Sequence, residues 1–457
     1  MDFYGTMRIN DKGHLEIGGC DTIDLAGEYG TPLYVMDEKA IRGECRAFRR
    51  ALETRHANSE VIYAGKAFST MAMCRIVDEE GLGLDVASGG EIITALKAGF
   101  PAGRIYFHGN NKSRSDLEMA LRARIGRFMV DNLYELEMLH DLARQLRIRA
   151  HVDFRVTPGV EAHTHEYIRT GQLDSKFGLG LQNGQAMMAI EKALAMEGIV
   201  VHGLHCHIGS QIFELESFKV ACELMVDFMA RVRRETGFTC EELNLGGGLG
   251  VRYVEGDVRA SVEDYADLVV STLYRKAGEH NLPVPKLLVE PGRYIVGQAG
   301  TTLYTVGSIK DIPGIRKYIA VDGGYTDNPR VALYGAKYQV IVANKANCDP
   351  VETVTIAGRC CESGDMLAWD VRLPKLEPGD ILAFLTTGAY QYSMSSNYNR
   401  FARPAVVFVR DGEVGLVVER ESYEDVITHD RIPQRLLKGA FKEPELEART
   451  DAMVSRV

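Results

Sequence analysis

The chain has 457 residues, 46% of them hydrophobic and 25% charged, proportions that are ordinary for a folded globular protein and exclude wholesale disorder. The formal net charge of −10 argues against nucleic-acid binding as the main activity, although it allows a local basic pocket. No segment reaches the roughly 18 apolar residues of a membrane helix, and the polar N-terminus has no signal-peptide core. The 9 cysteines show no CxxC spacing, so we expect a cytoplasmic protein without a zinc or other metal site and without a disulfide framework.

The first 38 residues contain two segments typical of strands, MRINDKGHLEIGG and TPLYVMD. Short apolar runs separated by polar and glycine residues favour strand over helix in both. We expect both segments to join a β region that is formed later in the chain.

From about residue 58, short apolar runs alternate with longer amphipathic stretches, a pattern typical of parallel βαβ units. The runs predict strands at residues 61–65, 82–87, 104–108, 127–130, 151–156, 200–208, 242–246 and 286–290. Eight such units over about 250 residues predict a (β/α)8 barrel of the TIM type, with an open doubly wound sheet as the alternative. The clearest helix is predicted at about 212–233, where one face carries Phe218, Cys222, Met225, Phe228, Met229 and Val232.

After residue 295 the segments become short, β-branched and punctuated by Gly, Asp and Asn, as in TLYTVGSI, KYIAVDGG, ETVTIAG, DILAFLTTG and PAVVFVRDGEVGLVV. This texture is typical of an antiparallel sheet. We therefore predict an α/β chain of two domains, a barrel over 39–292 and a discontinuous β domain over 1–38 and 293–434. The charged tail, 435–457, is expected to be a surface helix or disordered.

Polar residues stand at several of the predicted strand ends, where a barrel of this type carries its chemistry. Lys66 follows the first strand in VIYAGKAF, and Asp85 ends the second in GLDVASGGE. His207 and Ser210 follow the sixth strand in GLHCHIGSQ, and Glu290 ends the eighth in LLVEPGR. Each residue alone has an ordinary structural interpretation, but their occurrence at one rim predicts a site.

The residue types at this rim suit pyridoxal phosphate. A lysine at the end of an apolar strand is expected to be desolvated, which favours a neutral, nucleophilic amine at Lys66. The triplet Gly246–Gly248 leaves backbone N–H groups bare enough to cradle a phosphate. A carboxylate such as Glu290 keeps a pyridine nitrogen protonated, a role that a plain Schiff-base aldolase does not need.

Many segments of the chain also match one known family. They are YAGKAF, GLDVASGGE, FHGNNKS, TPGVEAHTHEYIRTG, DSKFGL, HCHIGSQ, NLGGGLG, EPGRY, VDGGYTDNPRVALYGAKY, GRCCESGD and TGAYQYSMSSNYN. With these motifs, in the family's order from about residue 60 to 430, the chain resembles the alanine-racemase-like (fold type III) pyridoxal-phosphate decarboxylases. Within that family it is most similar to the branch that acts on diaminopimelate.

The resemblance implies a role for each matching residue. Lys66 would hold the cofactor covalently, His207 would lie against the pyridine ring, and Glu290 would pair with its nitrogen. Cys361 in CCESGD would return a proton to the substrate after CO₂ leaves, so the implied catalytic residues are Lys66, His207 and Cys361. The implied cofactor-binding residues are Lys66, Asp85, His207, Ser210, Gly247, Gly248, Glu290, Gly292, Arg293 and Tyr390.

The same resemblance implies an obligate homodimer, because in this family the segment with Cys361 reaches the active site of the partner subunit. Cys360 is not part of the motif, and we expect a buried free cysteine without special chemistry. Three further residues of the family motifs are expected to order loops; they are His163, His165 and Lys176.

The substrate follows from what recognises its distal end. A buried carboxylate needs a cation, and arginine binds it bidentately, whereas a carboxylate such as Glu362 can accept a distal ammonium. The resemblance implies Arg293, Arg330, Tyr334, Glu362 and Tyr390 as substrate contacts. It therefore implies decarboxylation of meso-2,6-diaminopimelate to L-lysine and CO₂, the last step of lysine biosynthesis.

Two alternatives stay open. Tyr325 and Val331 stand where the diaminopimelate branch usually carries Met and Pro, which leaves a D-lysine or D-ornithine decarboxylase of the same family as the second interpretation. A more remote alternative is an inactive, cofactor-binding regulatory homologue. The presence of both Lys66 and Cys361 argues against it.

Overall fold

The computed structural model describes residues 3–160 and 175–436. The N-terminal segment forms a small antiparallel sheet of its own, β1 (Arg8–Ile9), β2 (Leu15–Ile17) and β3 (Cys20–Asp21). The expectation that these strands join the later β region is met by packing but not by pairing in the first segment: its short strands pair with one another, whereas Met7, Leu15 and Ile17 pack into a hydrophobic cluster of the β domain. It is correct for the second segment, β4 (Leu33–Asp37), which enters the large sheet of the β domain. Between them α1 (Thr22–Tyr29), capped by Asp21, was not anticipated.

The barrel strands follow in the predicted order, each hydrogen-bonded in parallel to its neighbours. They are β5 (Ser59–Ala64), β6 (Gly83–Val86), β7 (Ile105–Phe107), β8 (Arg127–Val130), β9 (Ala150–Thr157), β11 (Ile199–His205), β12 (Glu242–Asn244) and β13 (Lys286–Val289). The short β10 (Leu179–Gly180) pairs with β9. Since β8 pairs with β9 and β13 pairs with β5, the sheet closes on itself. The closed barrel is confirmed and the open sheet is wrong.

Helices cover the outside of the barrel between the strands. They are α2 (Glu38–Glu53), α3 (Met71–Glu79), α4 (Gly89–Lys97), α5 (Arg114–Ala123), α6 (Leu133–Leu146), α7 (Gln185–Leu194), α8 (Glu216–Thr236) and α9 (Val262–Glu279). The predicted helix over 212–233 is α8, and all six residues of its predicted apolar face are buried. It begins later than predicted because Ile212 makes a parallel bridge to Leu249.

The β domain is built from the segments after the barrel together with β4. Its elements are α10 (Arg293–Val296), β14 (Gly300–Ile312), β15 (Arg316–Val321), α11 (Arg330–Tyr334), β16 (Val340–Val342), β17 (Glu352–Ala357), β18 (Met366–Leu373), β19 (Ile381–Leu385), β20 (Ala405–Arg410), β21 (Glu413–Val418) and α12 (Tyr423–Ile427). The main strand order is β18-β17-β15-β14-β4-β20-β21, and β19 pairs with β14 and β16. Most pairs are antiparallel, as predicted, but β4–β20 and β15–β17 are parallel.

The continuous apolar run of β19 has a simple cause. Ile381, Ala383 and Leu385 pack into one hydrophobic cluster of the β domain, whereas Leu382 and Phe384 pack into another. Because successive side chains of a strand point to opposite faces, a strand that is covered on both faces must be apolar at every position.

Some expectations are left untested by this architecture. The domain boundaries predicted at 39 and 292 stay a prediction. His163, His165 and the tail from residue 437 onward lie outside the described residues. Among the helices that the structure describes, none combines the length and the apolar character needed to cross a membrane.

Candidate active site

A cavity at the carboxyl end of the barrel brings the predicted cofactor-binding residues together. All ten of them contribute to its lining: Lys66, Asp85, His207, Ser210, Gly247, Gly248, Glu290, Gly292, Arg293 and Tyr390. Nine of them follow or end barrel strands, and Tyr390 comes from the β domain. The cavity therefore lies where the two folding units meet.

Lys66 lies in a single helical turn, Gly65–Ala67, directly after β5. The turn is tight, because a Cβ on Gly65 would stand 2.7 Å from the carbonyl oxygen of Asp85. The carbonyl of Ala67 accepts hydrogen bonds from the Tyr390 amide at 2.8 Å and the Ser393 hydroxyl at 3.0 Å. The Lys66 side chain is exposed on the cavity side, so its amine is accessible from the cavity, and its predicted desolvation stays a prediction.

Glu290 stands at the end of β13 and is 6% exposed. Its carboxylate accepts a hydrogen bond from the Asn244 amide at 2.7 Å and pairs with Nε2 of His205 at 3.1 Å. Nε2 of His108 lies 2.9 Å from the other side of the same group. Burial alone would raise the pKa of Glu290, but the two histidines outweigh it and hold the pKa well below its ordinary value. The site therefore contains a buried carboxylate that is ionised at neutral pH.

The imidazoles of His108 and His205 both contact the Glu290 carboxylate. Their rings meet edge to face with centroids 4.9 Å apart, and burial lowers the pKa of His205 to about 4. His205 is thus neutral and supplies a hydrogen bond without adding charge. The ligand atoms of His108, His205 and Glu290 lie within 4.8 Å of one another, close enough for a metal ion. The pairing of both imidazoles with the Glu290 carboxylate accounts for this geometry by itself, and the expectation of no metal site stays a prediction.

His207 is half-buried at the wall of the cavity. Burial, followed by the positive charges of Lys66 and Arg155, lowers the pKa of its imidazole well below the ordinary value. Arg155 lies two residues before the end of β9, stacks over the Phe177 ring at 4.4 Å and lies 3.9 Å from the Asp131 carboxylate. His207 therefore offers a neutral aromatic face to whatever occupies the cavity.

Close packing of the backbone requires glycine at positions 246–248, independently of any ligand. A Cβ on Gly247 would stand 2.1 Å from the carbonyl oxygen of Glu290, and one on Gly248 would stand 2.4 Å from that of Gly209. Gly246 and Gly248 also have positive φ values of 67° and 124°, a region that L side chains rarely adopt. The turn after β12 can thus lie against the turn after β13 only if it is built of glycine.

Arg293 is 5% exposed and lies between the cavity and the β domain. Its guanidinium donates to the Ser210 hydroxyl at 3.0 Å and to the Tyr253 hydroxyl at 2.6 Å. It also lies over the Tyr390 ring, 4.8 Å from the ring centre. The partners of Arg293 are neutral, so its charge is left for a ligand.

Arg330, at the start of α11, is 8% exposed and also lies near Tyr390. Its guanidinium lies 4.9 Å from the Tyr334 ring centre and 5.5 Å from that of Tyr390. Its buried Nε has no hydrogen-bond partner in the part of the chain that the structure describes. Arg293, Arg330 and Tyr334 line a second cavity of about 290 Å³ that adjoins the first.

The structure does not bring Cys361 and Glu362 to this cavity. Both are exposed on the connection between β17 and β18, and the Cys361 amide donates to the Asn399 side chain at 2.8 Å. The neighbouring Cys360 is buried and free as predicted, and burial raises the pKa of its thiol to about 11. Lys176 is exposed beside the Phe177 ring, 5.0 Å away, and its predicted loop-ordering role stays a prediction.

Sequence reasoning missed four residues that surround the predicted ones. They are His108, Asn244, Arg155 and Tyr253. A signal existed for the first three, because each is a polar residue within a predicted barrel strand. Tyr253 had none, since it lies in an irregular segment between β12 and α9.

Comparisons with known proteins agree with this geometry. The family described as "Pyridoxal-dependent decarboxylase, pyridoxal binding domain" matches residues 38–297. Diaminopimelate decarboxylase from Halalkalibacterium halodurans is 53% identical over 430 residues, which cover 94% of this chain and 98% of that protein. The chain belongs to the diaminopimelate decarboxylase family. The identity to the Bacillus subtilis diaminopimelate decarboxylase is likewise 53%, over the same shares of the two chains.

A solved structure in the diaminopimelate decarboxylase family has the same architecture. Diaminopimelate decarboxylase from M. jannaschii in complex with L-lysine superposes with a TM-score of 0.88 at 38% identity. The match covers 94% of this chain and 99% of that one. The resemblance inferred from the sequence motifs is thereby confirmed, together with the barrel and the separate β domain.

Proposed function

We propose that this protein is a pyridoxal-phosphate-dependent decarboxylase that converts meso-2,6-diaminopimelate to L-lysine and CO₂. One observation carries the choice of substrate. Arg293 and Arg330 are two buried guanidinium groups that both lie near the Tyr390 ring, and among the described residues neither forms an ion pair with a carboxylate. Such a pair of uncompensated cations is costly unless a ligand supplies the anion.

The distal end of the substrate distinguishes the candidates. D-lysine and D-ornithine end in an ammonium, which two arginines would repel, whereas diaminopimelate ends in a carboxylate next to its ammonium. A guanidinium binds that carboxylate through two parallel hydrogen bonds. The L-lysine bound to the M. jannaschii enzyme is the product that this reaction would release. The departures at Tyr325 and Val331 do not alter this charge argument.

The residues around the cavity fit pyridoxal phosphate. The ionised Glu290 can hold a proton on a pyridine nitrogen, and the neutral His207 can cover the ring. The close-packed glycine turn and the Ser210 hydroxyl suit a phosphate, since bare backbone N–H groups bind such anions. Lys66, exposed on the cavity side, can reach the cofactor with its amine. When bound, this cofactor supplies the electron sink for the electron pair that the departing CO₂ leaves behind.

The chain's own residues bind and orient the substrate and move protons. Arg330 and Arg293 fix the distal carboxylate, so that the carboxylate to be lost is held at the Lys66 end of the cavity. Asp85 lies 3.8 Å from Nε2 of His108, and burial raises the pKa of its carboxyl. Asp85 is therefore suited to hold a proton beside the site. Lys66, whose amine is accessible from the cavity, would hold the cofactor covalently again once the product has left.

We further propose that each active site is completed by a partner subunit. Cys361 and Glu362 are needed to return a proton to Cα and to accept the distal ammonium, yet both lie away from the Lys66 cavity of their own chain. A homodimer that places this loop over the neighbouring cavity supplies both. Glu362 beside an arginine pair also matches the zwitterionic distal end of diaminopimelate.

The decisive experiment measures CO₂ release from meso-diaminopimelate, D-lysine, L-lysine and L-ornithine side by side. We expect turnover of meso-diaminopimelate alone, with L-lysine as its product. Preferred turnover of D-lysine or D-ornithine would establish the alternative decarboxylase. No CO₂ from any of the four, in protein that carries the cofactor on Lys66, would instead support the inactive regulatory homologue.

A further inference from the structure

The amino end of the barrel, opposite the active site, carries two adjoining cavities. They are formed where two consecutive helices return to the barrel, at residues 124–126 between α5 and β8 and at residues 147–149 between α6 and β9. Their volumes are about 490 and 720 Å³, and both are lined by Arg147, Ile148 and Arg149. We refer to the two together as the arginine cleft.

The cleft is strongly positive on a chain of net charge −10. Arg124, Arg144, Arg147 and Arg149 contribute to its lining, are exposed, and form no ion pair with any carboxylate of residues 3–160 and 175–436. Most other arginines on the barrel helices are paired, as Arg122 is with Glu118. Four unpaired guanidinium groups on one surface are a site that attracts anions.

The acidic groups near the cleft do not neutralise it. Arg127 also contributes to the lining, but Glu242 binds it through two hydrogen bonds at 2.8 and 2.9 Å. Glu197 is the one carboxylate among the described lining residues of the two cavities. Against it stand the four unpaired arginines, so the cleft keeps a net positive charge.

Two of these arginines occupy positions where the backbone favours a different residue. Arg124 and Arg147 each end their helix in the left-handed conformation, with φ of 55° in both cases. Glycine is the usual residue there, because a Cβ is strained. Both connections nevertheless read Arg-Ile, and Ile125 and Ile148 both contribute to the cleft lining while packing against the barrel core. Two guanidinium groups of one cleft thus stand at strained backbone positions, and such strain points to a functional use of their charge.

We propose that the arginine cleft binds a ligand that carries a di- or triphosphate group. A guanidinium group binds two oxygens of a phosphate through two parallel hydrogen bonds. Several unpaired guanidinium groups in one cleft can therefore bind more than one phosphate. Each cavity is larger than a single phosphate, and the walls also present apolar groups, among them Ile148, Leu194 and Met196. A nucleoside diphosphate or triphosphate and inorganic polyphosphate share this chemistry and are the two sources to distinguish.

The test uses protein saturated with pyridoxal phosphate, so that the phosphate site at the other end of the barrel is filled. Binding of tripolyphosphate and of ATP is measured by calorimetry for the wild type, for Arg124→Gly/Arg147→Gly and for the control Arg122→Ala/Arg234→Ala. Glycine suits the left-handed positions, so the first variant removes two charges without lowering the melting temperature. The control removes the same charge from exposed positions on α5 and α8.

We expect one ligand per chain and a loss of affinity of about tenfold or more in the glycine variant, with the control unchanged. Tighter binding of ATP than of tripolyphosphate identifies a nucleotide, and equal binding identifies a polyphosphate ligand. Should the glycine variant unfold, Arg144→Ala/Arg149→Ala tests the same cleft at ordinary backbone positions. Absence of binding by both probes overturns the proposal, as does an affinity that the cleft variants retain or that the control loses equally.

Discussion

The amide of Tyr390 donates to the carbonyl of Ala67 at 2.8 Å. Lys66 directly precedes Ala67 in the chain. The guanidinium of Arg293 lies over the Tyr390 ring, 4.8 Å from the ring centre. The hydrogen bond therefore fastens the β domain to the barrel beside the amine that is proposed to hold the cofactor. Tyr390 keeps this position with a positive φ of 61°, which a non-glycine residue adopts only at a cost. The active site depends on the docking of the two folding units as much as on the barrel.

Arg330 is expected to govern recognition of the distal carboxylate. Arg330→Ala should lower kcat/KM for meso-diaminopimelate by roughly a hundredfold, about 3 kcal/mol, because the carboxylate loses its partner in a buried site. Arg330→Lys keeps the charge but loses the planar fork, and we expect an intermediate loss. Steady-state kinetics on the three proteins checks this. Near-normal turnover by the alanine variant would refute the assigned substrate orientation.

Lys66 and Cys361 are expected to act from different subunits. Lys66→Ala and Cys361→Ala should each be nearly inactive as homodimers. A mixture that has exchanged subunits should recover activity, because a hybrid dimer contains one site with both wild-type residues. The control is a mixture of Lys66→Ala with Lys66→Ala/Cys361→Ala, which can form no intact site. If the first mixture exchanges subunits, as shown by mass spectrometry, and stays inactive, the shared site is wrong.

Gly247 is expected to be irreplaceable because of the backbone opposite it. A Cβ would stand 2.1 Å from the Glu290 carbonyl oxygen, so Gly247→Ala should destabilise the protein by about 1–3 kcal/mol and shift the absorbance of the bound cofactor. Gly43→Ala is the matched control on α2, where no atom lies within 4 Å of the added methyl group. Helix propensity predicts that it stabilises by about 0.5–1 kcal/mol. Thermal melts of both variants, with and without cofactor, provide the measurement.

Asp153 is expected to make stability depend on pH. It is buried inside the barrel, and burial, with the Glu242 charge next in importance, raises its pKa from 3.8 to about 8. Between these values the folded state holds a proton that the unfolded state releases, so the stabilisation present below pH 4 is lost as the pH rises through about 8. Asp153→Asn should remove this loss, which is at most about 1.4 kcal/mol per pH unit.

The comparison for Asp153 is the difference in melting temperature between wild type and Asp153→Asn at several pH values. All other titrating groups are common to both proteins and cancel. We expect the melting temperature of the variant, measured relative to that of the wild type, to rise steadily from pH 4 to pH 8. A difference that does not change with pH would contradict the raised pKa.

Local sequence patterns were sufficient for much of the fold and of the site. The alternation of short apolar runs with amphipathic stretches predicted eight strands because parallel strands buried on both faces must be apolar. Since the carboxyl ends of such strands meet at one rim, Lys66, His207 and Glu290 could be assigned to a single site although they lie far apart in the chain. Family motifs then added Arg330, Tyr390 and Cys361, whose neighbourhood no periodicity indicates.

Tertiary structure alone decided the contacts that depend on long-range packing. His108 reaches Glu290 because closure of the barrel brings the ends of β7 and β13 to one interior, and Asn244 reaches it because β12 pairs with β13. The N-terminal strand β4 enters the β domain between β14 and β20, an insertion that its own sequence does not encode. Sequence by itself predicted Lys66, His207 and Glu290 as candidate site residues and placed each at the end of a strand, because both predictions follow from side-chain type and period. Their protonation states and the separation of Cys361 from its own Lys66 followed only from burial and distance, which are properties of the folded chain.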